Sequence, residues 1–501
     1  MIKHKIFNIF SGFSRNDLIK FEDFINSPYH NINKKIVLLF KEIVKYYPDF
    51  LSPLLNRDRL SLLINPKKEP KKSTIRHLFS DLQKLANEFM IYEKFKNSKF
   101  EWNDILLKLY TERNDESQFR DTINNFNEQL NDYGVDGKYY YYKKMINVYE
   151  FNFNTLNHNT KSSKNIEESR KYLISYIINL VSYFVTEIIN TDLNVKIFDS
   201  KFKIKVDNKF TADLFSVLDI TKLVTVVEKE DKDNFILKVY LHLYKTFKEI
   251  ENESNFYNYK KLVFKYSGKM SRDECSYHFS MLITYCIYKN TGTGVTSEFR
   301  HELLLIYDFF LKNKYYTDIK TPYLSDDLFR NILLLALRLN KFDWTLKFIK
   351  TFSEYLHPGK KENLVNLAYA EYYSHKWSYK KSHEDLKNSF IYLNKIKEDS
   401  FVLKYDVKSI FLKIYFEQNL NDPLINQIDN YRKFLKRNKL VTEDRKKRIC
   451  NFLHILKRLV FLKNGERKIT VKTIQNDLLK IKSIEHRDWL FKKFNELKNK
   501  N

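Results

Sequence analysis

No proline occurs between Pro70 and Pro322, half the length of the chain, and the whole sequence holds only eight prolines and eight glycines in 501 residues. Sheets of many strands need frequent tight turns, and those turns draw on both residues. A chain this poor in them is predicted to be helical. Its apolar content of 43% is that of a folded protein, and its length predicts two or three domains.

The stretch Phe329 to Phe352, FRNILLLALRLNKFDWTLKFIKTF, shows the pattern most clearly. Phe329, Ile332, Leu333, Ala336 and Leu337 recur at helical spacing, and Leu334, Leu335 and Leu339 add a second apolar face. Asn340 and Lys341 break the run, since asparagine tolerates a left-handed cap. Phe342, Leu346, Ile349, Phe352 and Leu356 then form a new stripe, Trp344, Phe348 and Tyr355 a second, and His357-Pro358-Gly359 is predicted to stop the helix. Helices apolar on most sides must be covered on most sides, so this pair predicts further pairs beside it. Breaks of the same kind are predicted at Ser374-His375, near Asn419 to Asp422 and at Asn464-Gly465, giving intervals of about 35 to 45 residues, within the range of helical repeats.

Over residues 297–465 this pattern resembles the tetratricopeptide-like superfamily of helix-pair repeats. The sequence departs from that pattern at Leu333 and Thr345, where small residues are expected, and comes closer at Leu367-Ala368. The resemblance implies an α-solenoid of degenerate repeats that binds a partner on a concave face. The predicted class is therefore all-α, with an N-terminal helical domain (1–100), a central helical region (101–296) and a solenoid with a basic end (297–501).

In the first hundred residues Ser14 and Asp17 predict a helix start, followed by the stripe Leu18, Phe21, Phe24 and Ile25. A second helix carries Ile36, Leu39, Phe40 and Ile43. A third, capped by Ser73, carries Ile75, Leu78, Phe79, Leu82, Leu85, Ala86, Phe89 and Met90. The segments Phe21-Glu22-Asp23-Phe24, Ser27-Pro28-Tyr29 with Asn31, and Tyr46-Tyr47-Pro48-Asp49-Phe50 resemble the N-terminal part of an uncharacterised family of large helical Bacteroidota proteins, and Phe411 to Asn464 resembles its C-terminal part. That family brings no known activity.

Further along, Glu167 to Ile189 predicts a helix with Leu173, Ile174, Ile177, Val181, Phe184, Val185 and Ile188 in register. Its uncharged core, Tyr172 to Thr186, is fifteen residues long, short of the roughly 20 that span a bilayer, and is expected to be a buried helix, with no membrane partner. Val195 to Val206 alternates, so a short strand or hairpin competes there with a helix or loop.

The net charge is +26. A polyanion-binding surface would explain it. So would codon bias, because the chain is rich in Lys, Asn, Ile, Tyr and Phe, and only 18 of its 88 basic residues are the arginines that phosphate recognition favours. The surplus is concentrated at the end: residues 431–501 carry 22 basic and 7 acidic side chains. On a helix from Thr442 to Leu462, Ile449, Phe452, Leu453, Leu456, Leu459 and Val460 share one face, while Lys446, Lys447, Lys457 and Arg458 lie on the other and are the candidate partner or polyanion contacts. Lys138 to Lys144, with four consecutive tyrosines, sets base stacking against simple packing.

No catalytic or cofactor motif emerges. Thr291-Gly292-Thr293-Gly294 lacks the strand and third glycine of a dinucleotide loop and reads as a turn. Cys275 and His278 make half a zinc site at most, and His301-Glu302 has no second histidine four residues on. No metal, cofactor or catalytic residue is therefore expected. Three cysteines without a paired spacing fit a reducing, cytoplasmic setting. The residues point to a non-enzymatic scaffold or adaptor for a protein or peptide partner, with nucleic-acid binding through the basic C-terminal face as the alternative and no basis for an oligomeric state.

Overall fold

The computed structural model describes residues 4–64, 66, 72–157, 163–202, 209–291, 297–317, 322–397, 401–438, 442–465, 469–481 and 483–499. Among these residues lie 24 α-helices and no β-strand, as the scarcity of glycine and proline predicts. The chain forms two compact units, Met1–Tyr240 and Leu241–Asn501.

The first unit opens with α1 (Lys5–Ser11), α2 (Arg15–Asn26), α3 (Lys34–Val44), α4 (Arg57–Ile64) and α5 (Lys72–Lys96). Ser14 and Asp17 form the expected reciprocal cap of α2, whereas α5 begins one residue before Ser73. The apolar stripes of α2, α3 and α5 meet in one core with Phe10, Phe21 and Phe40 fully enclosed. Met90 alone of the α5 stripe turns outward. Asn31 ties the bend between α2 and α3, donating to the Ile25 carbonyl at 2.9 Å and accepting from the Asn33 N–H at 2.9 Å. The Tyr47 hydroxyl donates to the Phe13 carbonyl, and Phe50, in the left-handed region, buries its ring in the same core.

Next come α6 (Lys99–Arg113), α7 (Glu116–Tyr133) and α8 (Gly137–Asn157), around Leu107, Phe119, Phe126 and Phe153. Tyr140 and Tyr142 are buried, Tyr139 is half-buried, and Tyr141 is exposed with Lys144 over its ring. The four-tyrosine run is thus divided between core and surface.

The helix α9 (Ser163–Phe202) runs antiparallel along α8, followed by α10 (Lys209–Val217), α11 (Ile220–Glu230) and α12 (Phe235–Lys248), within which the division between units falls. At α9 one open alternative is decided and one expectation changes. Val195 to Phe202 is helical, and 203–206 lie outside the described residues. The uncharged run is not buried: Leu173, Ile174, Ile177, Leu180 and Phe184 are exposed, while Ser182, Val185, Thr186 and Ile189 are enclosed. Small polar side chains, which satisfy themselves on the helix or with Asn234, line the buried face, so the larger apolar ones turn outward. At 40 residues α9 has the length and composition to cross a membrane, the one such helix among the described residues.

The second unit continues with α13 (Glu253–Tyr266), α14 (Arg272–Thr291) and α15 (Ser297–Lys312). Four helix pairs follow: α16 (Asp326–Arg338) with α17 (Phe342–Phe352), α18 (Pro358–Lys380) with α19 (His383–Asn394), α20 (Phe401–Glu417) with α21 (Asn421–Arg437), and α22 (Glu443–Lys463) with α23 (Val471–Lys480). Helix α24 (Arg487–Lys498) ends the chain. Each first helix of a pair stops at a residue of positive φ: Asn340 (55°), Lys381 (57°), Asn419 (60°) and Gly465 (76°). These stops lie 41, 38 and 46 residues apart.

The break expected at Ser374-His375 is absent. Both residues lie inside α18, Ser374 buried and His375 bonded through Nδ1 to the carbonyl of Glu371 at 2.9 Å, so the polar pair is accommodated within the helix. The stop comes at Lys381. His357-Pro358-Gly359 starts α18 rather than closing α17: His357 caps it and Pro358 takes the first position, where a missing N–H costs nothing. Helix α17 ends at Phe352 and a single 3-10 turn follows, so Tyr355 and Leu356 lie beyond it, though Leu356 remains buried. Within the first pair Phe329 stacks on Phe348 at 4.9 Å. Helix α16 packs on α18, and α18 on α20.

Candidate functional site

The first helices of three successive pairs each carry charged or polar residues toward one cleft. Arg338 closes α16, Lys413 interrupts the apolar run of α20, and α18 supplies His375, Trp377 and Ser378. Arg448 of α22, Arg300 of α15, the connection Ser483 to His486 and the first turn of α24 complete the lining. The cavity measures about 770 Å³, within the range of sites that hold a ligand or a short peptide segment.

The lining brings five Arg and Lys residues (300, 338, 413, 448 and 487) against three carboxylates, Glu417, Glu485 and Asp488. The carboxylates are engaged. Asp488 pairs with Arg300 at 2.9 Å. Glu417 pairs with Lys381 and with Lys493 at 3.2 Å and accepts from Ser378. Burial opposes its charge, but these partners hold the Glu417 carboxyl below the usual carboxylate range. Glu485 reaches Arg448 only at 3.9 Å, and the Arg448 Nε is buried without a hydrogen bond. Arg487 is spent on the α23 terminus, donating to the carbonyls of Leu478 and Ile481.

Two cations are left over. Arg338 and Lys413 make no hydrogen bond or ion pair with any described residue. By accessible surface Arg338 is exposed and Lys413 half-buried, but the surrounding protein crowds both charges and lowers both below their ordinary range; for Lys413 the Glu371 charge opposes and Arg338 adds to the shift, and for Arg338 the Asp488 charge opposes and Arg300 adds. The acids nearby are committed. Glu371 lies 3.3 Å from His375, and Asp406 holds Arg330 in a two-pronged pair with both contacts at 2.5 Å.

His486 faces the same cations. Its backbone is left-handed at φ 52°, and its ring lies 5.0 Å from Phe452. Burial drives its imidazole well below the ordinary 6.5, and Lys413, Arg338, Arg330 and His375 push it further. The unfolded chain therefore binds this proton more readily. Between pH 6.5 and the lower folded value the unfolded state holds more protons, so stability falls as pH drops below about 6.5, by at most about 1.4 kcal/mol per pH unit for this group. His486→Asn, which keeps a residue tolerant of positive φ, is expected to flatten that slope in urea titrations between pH 6.5 and 5. An unchanged slope would mean the ring titrates normally.

The candidates taken from the sequence lie elsewhere on α22. Lys446 pairs with Glu443 at 2.7 Å, Arg458 pairs with Asp477, Lys457 sits over the Phe461 ring, and Lys447 is exposed. None of the four lines the cleft, whereas the next residue along, Arg448, does. Cys275 and His278 form no metal group with other described residues. The His278 ring is fixed between the Tyr259 hydroxyl at 2.7 Å and Glu274 at 3.0 Å, and the Cys275 thiol reaches the Ser267 carbonyl. Of the Thr291 to Gly294 turn, only Thr291, at the end of α14, is described. The sequence signal for the cleft is a single cation in an otherwise apolar run of seven, Arg338 in LLLALRL and Lys413 in IFLKIYF. No protein-family model matches this chain, and no curated protein or solved structure does either.

Proposed function

We propose that the chain is a non-enzymatic adaptor, an α-solenoid whose second unit seats a segment of a protein partner in the cation-lined cleft. The observation that carries this reading is the convergence of Arg338, His375, Ser378 and Lys413, from the first helices of three consecutive pairs, on one cavity. Arg338 and Lys413 bring positive charge to that cavity from two of the helices with no ion pair to another described residue, Arg338 exposed and Lys413 half-buried, so both are open to an incoming anionic group. The evenly spaced helix stops at Asn340, Lys381, Asn419 and Gly465, with α16 on α18 and α18 on α20, support the solenoid arrangement. Three free cysteines support the cytoplasmic setting.

A photocrosslinking amino acid placed at Leu479, an exposed residue on the cleft wall, tests the reading against one placed at exposed Lys387 on α19. The purified protein is irradiated in an extract of the cells that make it. A discrete protein adduct from position 479 and none from 387 is the expected result. Matching adducts from both positions, or none from either, would remove the cleft as the partner site.

A further inference from the structure

We infer that the group recognised in this cleft is a phosphate monoester on a side chain of the partner segment, bound by Arg338 and Lys413 with Arg448 beside them; the inference rests on the partner-binding reading above. Charge comes first. The cleft lining carries five Arg and Lys residues and three carboxylates, a surplus of two positive charges. A monoester phosphate carries about two negative charges at neutral pH, whereas a single carboxylate would leave one cation unmatched.

Hydrogen bonding points the same way. Arg338 and Lys413 have no partner among the described residues, and the Arg448 Nε is buried without one. Asp488 is held by Arg300, Glu417 by Lys381 and Lys493, Asp406 by Arg330, and Glu371 lies against His375, while Arg448 reaches Asp444 and Glu485 only at 3.7 and 3.9 Å. Arg338 is exposed and Lys413 half-buried on the cleft wall, so both can reach an incoming group, and three phosphate oxygens offer acceptors to each of them and to the Arg448 Nε. Arginine forks match phosphate geometry, and a lysine supplies a point charge beside them. A side-chain phosphate is favoured over a small free one by the rest of the cavity. Its volume of about 770 Å³ extends to Trp489, Phe491 and Leu479, apolar surface suited to the residues flanking a phosphorylated position.

The test uses phenyl phosphate and benzoate as probes, with the full chain. Phenyl phosphate is expected to raise the melting temperature and to bind in calorimetry, and benzoate is not. Arg338→Gln with Lys413→Gln is expected to weaken phenyl phosphate binding by at least about tenfold per lost cation. The melting temperature of the double variant is measured alongside, and Arg338→Gln alone, at an exposed position without an ion pair, is expected to melt as wild type and still to weaken binding, so a loss of binding is not a loss of fold. No phenyl phosphate binding, equal binding of benzoate, or unchanged binding by the double variant would overturn the inference. The crosslink from Leu479 identifies the source. An adduct lost after phosphatase treatment of the extract supports a phosphorylated partner. An adduct that survives phosphatase leaves the partner-binding reading standing and overturns the phosphate. Phenyl phosphate binding with no adduct from any extract assigns the cleft to a free phosphate and overturns the partner.

Discussion

Leu333→Asp is expected to abolish cooperative folding of the second unit. Leu333 is 2% exposed, in the middle of α16, among the buried Phe329, Ile332, Ala336 and Leu337. An aspartate there forfeits roughly 1.5–3 kcal/mol of apolar burial and adds a buried unpaired charge costing about 3–5 kcal/mol. A whole domain is stable by only about 5–15 kcal/mol. Leu333→Ala, which empties the same space without adding charge, is expected to cost about 2–5 kcal/mol and still fold. Far-ultraviolet circular dichroism through a thermal melt separates the two. The aspartate variant should lose the cooperative transition of the second unit, and the alanine variant should shift it downward. A wild-type melting temperature for Leu333→Asp would mean that the position faces water.

What the sequence reveals follows from which residues have a strong local preference. Helix α16 is legible because its apolar residues repeat over nearly all of its surface. The stop at Asn340 is legible because asparagine accepts positive φ; the equivalent stop at Lys381 is not, because nothing local about a lysine suggests it. Ser374-His375 reads as a break for a related reason. Polar pairs usually mark loops, and here both residues line a cleft from inside a helix. Helix α9 inverts the usual pattern, burying Ser182 and Thr186 while exposing Ile177 and Phe184, so its periodicity is visible and its orientation is not. The cleft itself was hidden because its residues come from separate helices. Local patterning singles out Lys446 and Lys447 on the polar side of α22 but not the adjacent Arg448, whose neighbourhood depends on where α24 and the Ser483 to His486 connection fold back.

Asp406→Ala is the second substitution with a large expected effect, for a reason unlike the first. Arg330 of α16 and Asp406 of α20 are 76 residues apart, and their fork-to-fork contact ties the first helices of two pairs that have a third pair between them in sequence. Both side chains are largely enclosed, at 17% and 7% exposure. Burial works against the Arg330 charge, yet Asp406 lifts the guanidinium well above its ordinary range, so the pair is held as ions. Removing the carboxylate strands the guanidinium beside Arg338 and Lys413, where positive charge is already in excess. The expected cost is about 3–5 kcal/mol, read as a lower urea midpoint. Arg330→Met with Asp406→Leu removes both charges and is expected to recover most of that loss, since a buried ion pair replaced by apolar residues of similar size is often neutral or stabilising. The two results together separate a latch that must be satisfied from one that adds net stability. If Asp406→Ala instead shifts the midpoint by less than about 1 kcal/mol, the range of an exposed pair, then water reaches Arg330 and the contact between α16 and α20 does not hold the two pairs together.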